Sequence, residues 1–429
     1  MKKILSLLFI ITAIQVQAQN PAPAKLDTGR VLIMNATAHL GNGRVIENSA
    51  IGFQNGKLTL VADAKTIRIN RSAYSKVIDA SGKQIYPGFI DCNSSLGLTE
   101  IDMIRSMSDN YEVGEMNPNV RSVIAYNTDS KIIPTVRSNG VLLEQVVPQG
   151  GIISGQSSVM QLDGWNWEDA TYKADDGIHV NWPRMYVVKS PRAEPEDVQR
   201  QKIQKNISDL ELFFREAKAY CANSAPQEKN LKFDAMRGLF DGSKKLYVHC
   251  DYVKEIVSAV DMAKRMSLKL VIVGGADSYL ITDVLKANSV AVILGRTHSL
   301  PSREDDDVAL PYKMPSILQK AGILYTVSIE SSWQSRNLGF MAGTGVGFGL
   351  TQEEAVMALT MNAATILGID QTAGSLEVGK DATLFISSGD ALDMRTQNVE
   401  TAFIGGKEIN LDNVQKQLYN KYQTKYGIK

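Results

Sequence analysis

The chain is poor in the residues that soft metal sites use. It has four histidines and three cysteines in 429 residues. Cysteines at positions 92, 221 and 250 supply neither a disulfide framework nor a zinc cluster. So few imidazoles and thiols argue against any site that needs many of them as ligands. Net charge is absent too. The 46 Lys and Arg balance the 46 Asp and Glu, so the chain as a whole has no electrostatic footprint for nucleic acid or an anionic surface. What is present is ordinary: 44% hydrophobic and 21% charged residues provide ample apolar mass for a core. The length suits two or three folding units, or one large barrel with an accessory layer.

The N-terminus reads as a processing signal, residues 1–18. Lys2 and Lys3 form the basic end, Ile4 to Ile14 the apolar run, and Val16-Gln17-Ala18 a small-residue cleavage pattern. The apolar run is too short for a permanent span, and no Cys follows the cleavage pattern. The expectation is an exported protein, periplasmic or secreted, with no membrane span once the signal is removed.

Beyond a Pro/Ala spacer, short β-type runs (Val31–Met34, Ala50–Phe53, Leu58–Val61) alternate with the turn dipeptides Asn42-Gly43 and Asn55-Gly56. After Tyr86-Pro87-Gly88-Phe89-Ile90-Asp91 the pattern changes to buried strands alternating with helices. Strand candidates are Phe89-Ile90, Val141–Leu143, Val159–Leu162, Leu246–Val248, Leu270–Val273, Val290–Leu294 and Leu324–Val327, with helical periodicity over Glu196–Cys221 and Val253–Met266. That alternation implies a parallel sheet under helices. It favours a (β/α)8 barrel over a doubly wound sheet, because no Gly-rich dinucleotide fingerprint follows the first strand. Met103 to Pro183 is irregular for a barrel and is expected to hold insertions near its mouth. A capping box, Thr351 to Glu354, opens a helix ending near Gly368, and β-type runs then return. The expected units are a discontinuous β-sandwich-like domain (19–83 and 372–410), a barrel (84–371) and a C-terminal helix (411–429).

This order, with Tyr86–Asp91 at one end and Met361-Asn362-Ala363-Ala364 through Gly374–Ala382 at the other, resembles the amidohydrolase superfamily, and within it the imidazolonepropionase-like branch. The resemblance spans essentially the whole mature chain. It implies hydrolysis of a non-peptide C–N bond in a small amide, cyclic amides included. It also implies metal ligands at the C-terminal ends of barrel strands: a His-x-His pair on strand one, single His residues on strands five and six, and an Asp on strand eight. Residues i and i+2 of a strand face one side, so His-x-His aims two imidazoles at one ion, whose bound water then becomes the nucleophile. In this chain the pair falls on Asn93 and Ser95, the strand-five position on His249, the strand-six position on Gly274, and the strand-eight acid on or beside Glu330. Three of four histidine ligands are replaced. The resemblance then allows at most one weakly bound divalent ion, using His249, Glu330 and Asp91, with harder ions favoured over zinc.

The candidate catalytic residues are therefore His249, Glu330 and His298, the last just beyond strand seven. Candidate substrate contacts are Asn93, Ser95, Gln156 and Arg336. Gln156 belongs to the polar stretch Gly150–Ser158, read as a flexible loop able to cradle an anionic group, although it lacks the Lys and spacing of a phosphate loop. Each has a plainer alternative: His249 as a hydrogen-bonded mouth residue, His298 as a solvated loop residue, and His39 and His179 as surface or packing residues. Cys92 and Cys250 read as buried small hydrophobes. Two functions follow. One is a hydrolase with an altered or mononuclear site. The other is a non-catalytic barrel protein that binds a small molecule, or an active amidohydrolase relative, after losing its metal.

Overall fold

The computed structural model describes residues 22–224 and 226–427; the signal reading of residues 1–18 falls outside them. The chain first lays down β1 (Val31–His39), β2 (Val45–Gln54), β3 (Lys57–Asp63), β4 (Lys76–Asp79) and β5 (Gln84–Pro87). From the other end of the chain come β14 (Leu384–Ser387), β15 (Val399–Ile404) and β16 (Lys407–Glu408). Together they form one eight-stranded sheet in the order β16-β15-β14-β5-β1-β2-β3, with β4 also on β1. Pairing of β14 with β5, Ile386 opposite Ile85, joins the two chain ends. Because β5 belongs to this sheet, the change of domain falls at Gly88 rather than at residue 84.

The barrel follows as β6 (Phe89–Ser94), β7 (Val141–Val146), β8 (Ile153–Gln161), β9 (Thr171–Asn181), β10 (Lys245–Cys250), β11 (Leu270–Gly274), β12 (Ala291–Leu294) and β13 (Tyr325–Val327), neighbours in that order. One strand departs from the expected all-parallel design. β8 runs antiparallel to both β7 and β9. Its connections, residues 147–152 and 162–170, are too short for the helical crossover a parallel neighbour requires. The irregular stretch from Met103 to Pro183 thus contains three barrel strands, β7 to β9, and the presumed loop Gly150–Ser158 is largely β8. In sequence β8 and β9 are masked by polar residues, because Ser157, Ser158 and Asp176 are buried there against partners rather than exposed.

Helices α1 (Glu196–Cys221), α2 (Val253–Met266) and α3 (Leu310–Ala321) cover β10–β12. In α2, Ile256, Ala259, Val260 and Ala263 recur at helical spacing and pack with Leu246, Val248 and Ile272 from the outer faces of the strands. α4 (Leu338–Gly347) lies against residues 391–392 so closely that a Cβ on Gly343 would fall 2.1 Å from the Leu392 carbonyl. α5 (Gln352–Met357) starts on the Thr351–Glu354 capping box, passes through a π turn and continues as α6 (Ala363–Leu367), which ends at Gly368 with φ +67°. Ala363, Ala364, Ile366 and Leu367 close the barrel floor beneath Ile90, Leu143 and Val271. Lys245 and Lys173 there donate to the last helical carbonyls, of Thr365 (2.9 Å) and Leu367 (2.7 Å), where cations suit the negative end of the helix dipole. The chain finishes with α7 (Val414–Tyr426). Among the described residues no helix is long and apolar enough to cross a membrane, and the three cysteines are free.

Candidate functional site

A cavity of about 900 Å³ opens where β6 and β10–β13 end, the face on which barrels of this kind build their sites. Asn93, Ser95, His249, Gly274 and Glu330 all line it. The five positions aligned with the family's ligands are therefore gathered in one place. Asn93 holds φ at 63°, which its short polar side chain tolerates, and its N–H donates to Gln145 Oε1 at 3.3 Å. The Ser95 N–H and hydroxyl both donate to the Glu330 carbonyl, each at 3.0 Å, tying the first barrel strand to the end of the last. The Glu330 carboxylate accepts from Gln149 Nε2 at 2.7 Å. Gly274 has φ +93°, and a Cβ there would lie 2.6 Å from Asp251 Oδ1. An imidazole cannot be accommodated at that position without rebuilding the neighbouring carboxylate.

His249 is not alone. Its Nε2 lies 2.8 Å from Nδ1 of His179 on β9, and His179 stacks on Tyr247 with centroids 4.6 Å apart and planes 9° from parallel. The Tyr247 hydroxyl donates to Asp176 (2.8 Å), which also accepts from Gln145 (2.9 Å) and Ser157 (2.6 Å). A polar chain thus descends from the mouth into the barrel. Burial pushes His249 down to about 4. Burial first, and then His249, pushes His179 well below the ordinary histidine value. Both rings are neutral near pH 7. His179, expected at the surface or in packing, is fully buried in the barrel wall. The sequence signal for it was Ile178-His179-Val180, which repeats the apolar–His arrangement of Val248-His249 on the adjacent strand.

Other expectations fail. Gln156 lies on β8 and takes a hydrogen bond from Lys244, outside the mouth cavity. The Arg336 guanidinium folds over the Trp333 ring at 4.8 Å and bonds its carbonyl, also outside the cavity. His298 turns to Thr344 on α4, Nε2 to Oγ1 2.5 Å, and is absent from the lining. Arg184 and Arg296 occupy the cavity instead. Trp182 also reaches it, whereas Trp165 is on another surface.

Asp91 cannot reach the mouth either. Ile90 and Cys92 pack inside the barrel, so Asp91 faces outward, where its Oδ1 accepts from the Ile329 N–H at 2.9 Å. Its register partner is Glu144. Both are fully buried, and Asp91 Oδ2 and both Glu144 oxygens lack partners. Burial lifts Asp91 to about 8 and Glu144 well above the usual carboxylate range, the latter pushed further by Asp91.

The metal set does not fit these residues. The bond to His179 occupies His249 Nε2, so that ring could offer an ion only Nδ1, and only when Nε2 carries the proton. Among the described residues no three His, Cys, Asp or Glu side chains converge to hold a metal.

The amidohydrolase family model matches residues 331–409. Imidazolonepropionase of Rhizobium rhizogenes is 23% identical over 385 residues, covering 81% of this chain and 88% of its own. That of Fusobacterium nucleatum subsp. nucleatum is 24% identical over 390 residues, covering 82% and 88%. These likenesses support the amidohydrolase superfamily, and within it the imidazolonepropionase-like branch. The amidohydrolase of Thermotoga maritima MSB8 has the same fold, with TM-score 0.73 at 23% identity over 89% of this chain and 99% of that one. The same likenesses support a hydrolase acting on a C–N bond of a small substrate.

Proposed function

We propose that this protein hydrolyses a non-peptide C–N bond in a small, polar, amide-bearing molecule held in the barrel mouth, at a site altered from the family's metal design. The observation that carries the reading is Glu330 and His249 on one cavity at the strand ends. Glu330 is the carboxylate held by Gln149. It takes a proton from water as the water oxygen adds to the amide carbonyl carbon. The proton then passes to the amide nitrogen as the C–N bond breaks, leaving an acid and an amine. Arg184 and Arg296 pair with no carboxylate among the described residues, so they suit an acidic group on the bound molecule. Export to the periplasm or exterior accords with the signal-like N-terminus.

A second reading, a binding protein without turnover that partners an active relative, is favoured by the His179–His249 bond, which engages Nε2 of the one retained ligand residue. The two are separated by measuring metal content and amide turnover on protein purified without chelator. The altered hydrolase should carry well under one equivalent of metal and resist chelation. Glu330→Gln should lower kcat about a hundredfold. One tightly held equivalent, lost in His249→Ala, would overturn the altered site. Saturable binding of the amide with no turnover would leave the second reading standing.

A further inference from the structure

The chain's overall neutrality hides a local imbalance at its end. α7 carries Lys416, Lys421 and Lys425, Lys429 follows, and no acidic residue occurs after Asp412. None of its residues is buried. Val414, Leu418, Tyr422 and Tyr426 recur every fourth position, so they succeed one another along one side of the helix. Each is between 45% and 64% exposed, and Tyr419 beside them is 65% exposed. The first turn is tied to the barrel: Thr135 donates to Gln415 (2.7 Å) and Asn413 to Ser138 (2.9 Å). Beyond Gln417, no side-chain hydrogen bond or ion pair joins the helix to another element among the described residues. Lys425 Nζ stands 6.0 Å and 5.2 Å from the ring centroids of Tyr422 and Tyr426, and Lys421 stands 5.8 Å from Tyr422. Cations therefore flank the aromatic side.

We propose that α7 is a surface anchor that lies on an anionic lipid membrane, with its tyrosines at headgroup level and its lysines against lipid phosphates. Charge complementarity selects this occupant. A second copy of α7 brings the same three cations and is repelled. Residues 1–21 of the same chain contain Lys2 and Lys3 and no acid, so they offer nothing complementary. A cavity beside the helix is at its first turn, lined by Asn413, Gln415 and Lys416, and the tyrosines lie beyond it. A lipid interface accepts such a side without shape matching, because a tyrosine ring is apolar at its body and polar at its tip, and lysine stems extend to keep the ammonium in water. A helix that is basic on its polar side and aromatic or aliphatic on the other lies in the interface plane. The helix is too short and too polar to cross.

Co-sedimentation of the full chain with phosphatidylglycerol-containing vesicles, against pure phosphatidylcholine vesicles, tests the assignment. Lys416 donates to the Leu411 carbonyl at 3.0 Å, so two lysines, Lys421 and Lys425, meet the anionic surface; they should raise partitioning about thirtyfold, and high salt should abolish the preference. The combined Lys416→Glu, Lys421→Glu and Lys425→Glu variant should lose it. Tyr422→Ser with Tyr426→Ser should weaken binding to both vesicles while the charge preference remains. Tyr422→Trp should show a blue-shifted emission only with the anionic vesicles. Equal partitioning to both vesicle types, or unchanged binding by the charge-reversed variant, overturns the proposal. So does tighter binding to soluble polyglutamate than to vesicles, which would assign the helix to an acidic protein instead. All substituted side chains are at the surface, and circular dichroism checks that each variant is folded.

Discussion

Between pH 6.5 and pH 8 the protein should lose folding free energy as the pH rises, and the loss should shrink by roughly 2 kcal/mol or more when Asp91 and Glu144 are replaced by Asn and Gln. The two carboxyls are neighbours in register on β6 and β7, fully buried, with no cation against them. Burial raises Asp91 from 3.8 to about 8 and Glu144 in the same direction. An acid whose folded value is raised gives its full contribution below its unfolded value, and loses it as the pH climbs toward the folded one. For Asp91 that window runs from about 4 to about 8. The two mouth histidines titrate with the opposite sign. Their folded values are depressed, so their contribution is complete above 6.5 and is lost only below it. Lys245, lowered to about 8, affects stability only above that pH. Asp176 and Asp251, which burial also raises, act in the same sense as the pair, so the Asn/Gln variant rather than the interval assigns the loss to Asp91 and Glu144. At roughly 1.4 kcal/mol per pH unit for each group that stays protonated, Asp91 alone should cost roughly 2 kcal/mol across the interval, and Glu144 adds in the same sense. Urea titrations at fixed pH values measure this directly. A flat profile in the unmodified protein, or an equally steep one in the Asn/Gln variant, would mean that the pair is not the source. The consequence reaches the mouth, because Asp91 holds the Ile329 N–H and Ser95 holds the Glu330 carbonyl.

The barrel was legible in sequence wherever one strand reads as a continuous apolar run. Leu270–Val273 and Val290–Leu294 are buried on both faces and leave no other assignment. The helices Glu196–Cys221 and Val253–Met266 were readable end to end because each presents one apolar side. β9 was not legible. Its inward residues include Asp176 and His179, which satisfy one another's neighbours inside the barrel instead of facing water, so the strand looks like a polar insertion. The same cause hid half of the candidate site. Asn93, Ser95, His249, Gly274 and Glu330 could be placed on one face from strand-end positions alone. The choice between Arg336 and Arg296 could not, since it depends on which guanidinium the Trp333 ring captures. Charge was misleading in a similar way: a balanced total concealed the four acid-free lysines at the C-terminus.

Replacing Asp176 by Ala should destabilise the protein by about 3–5 kcal/mol and also release His249. Asp176 is the shared acceptor for Tyr247, Gln145 and Ser157, all inside the barrel. Removing it leaves the Ser157 hydroxyl without an acceptor, Gln145 with only its bond to Ser157 (3.1 Å) and Tyr247 with only a long contact to the Ile366 carbonyl (3.4 Å); a buried donor left unpartnered costs about 1–3 kcal/mol, less whatever water or rotamer changes recover. Tyr247→Phe removes a single donor and should cost about 1–2 kcal/mol. The two substitutions separate stability from the site. Phe keeps the ring on which His179 stacks, so His249 should remain near its depressed value of about 4. Ala at 176 admits water beneath that ring, and His249 should move back toward 6.5 as its burial is relieved. Histidine NMR titration reads that shift in each variant, independently of any substrate. A His249 that stays near 4 in Asp176→Ala would show that its neutrality comes from the mouth itself and not from the chain of groups below it.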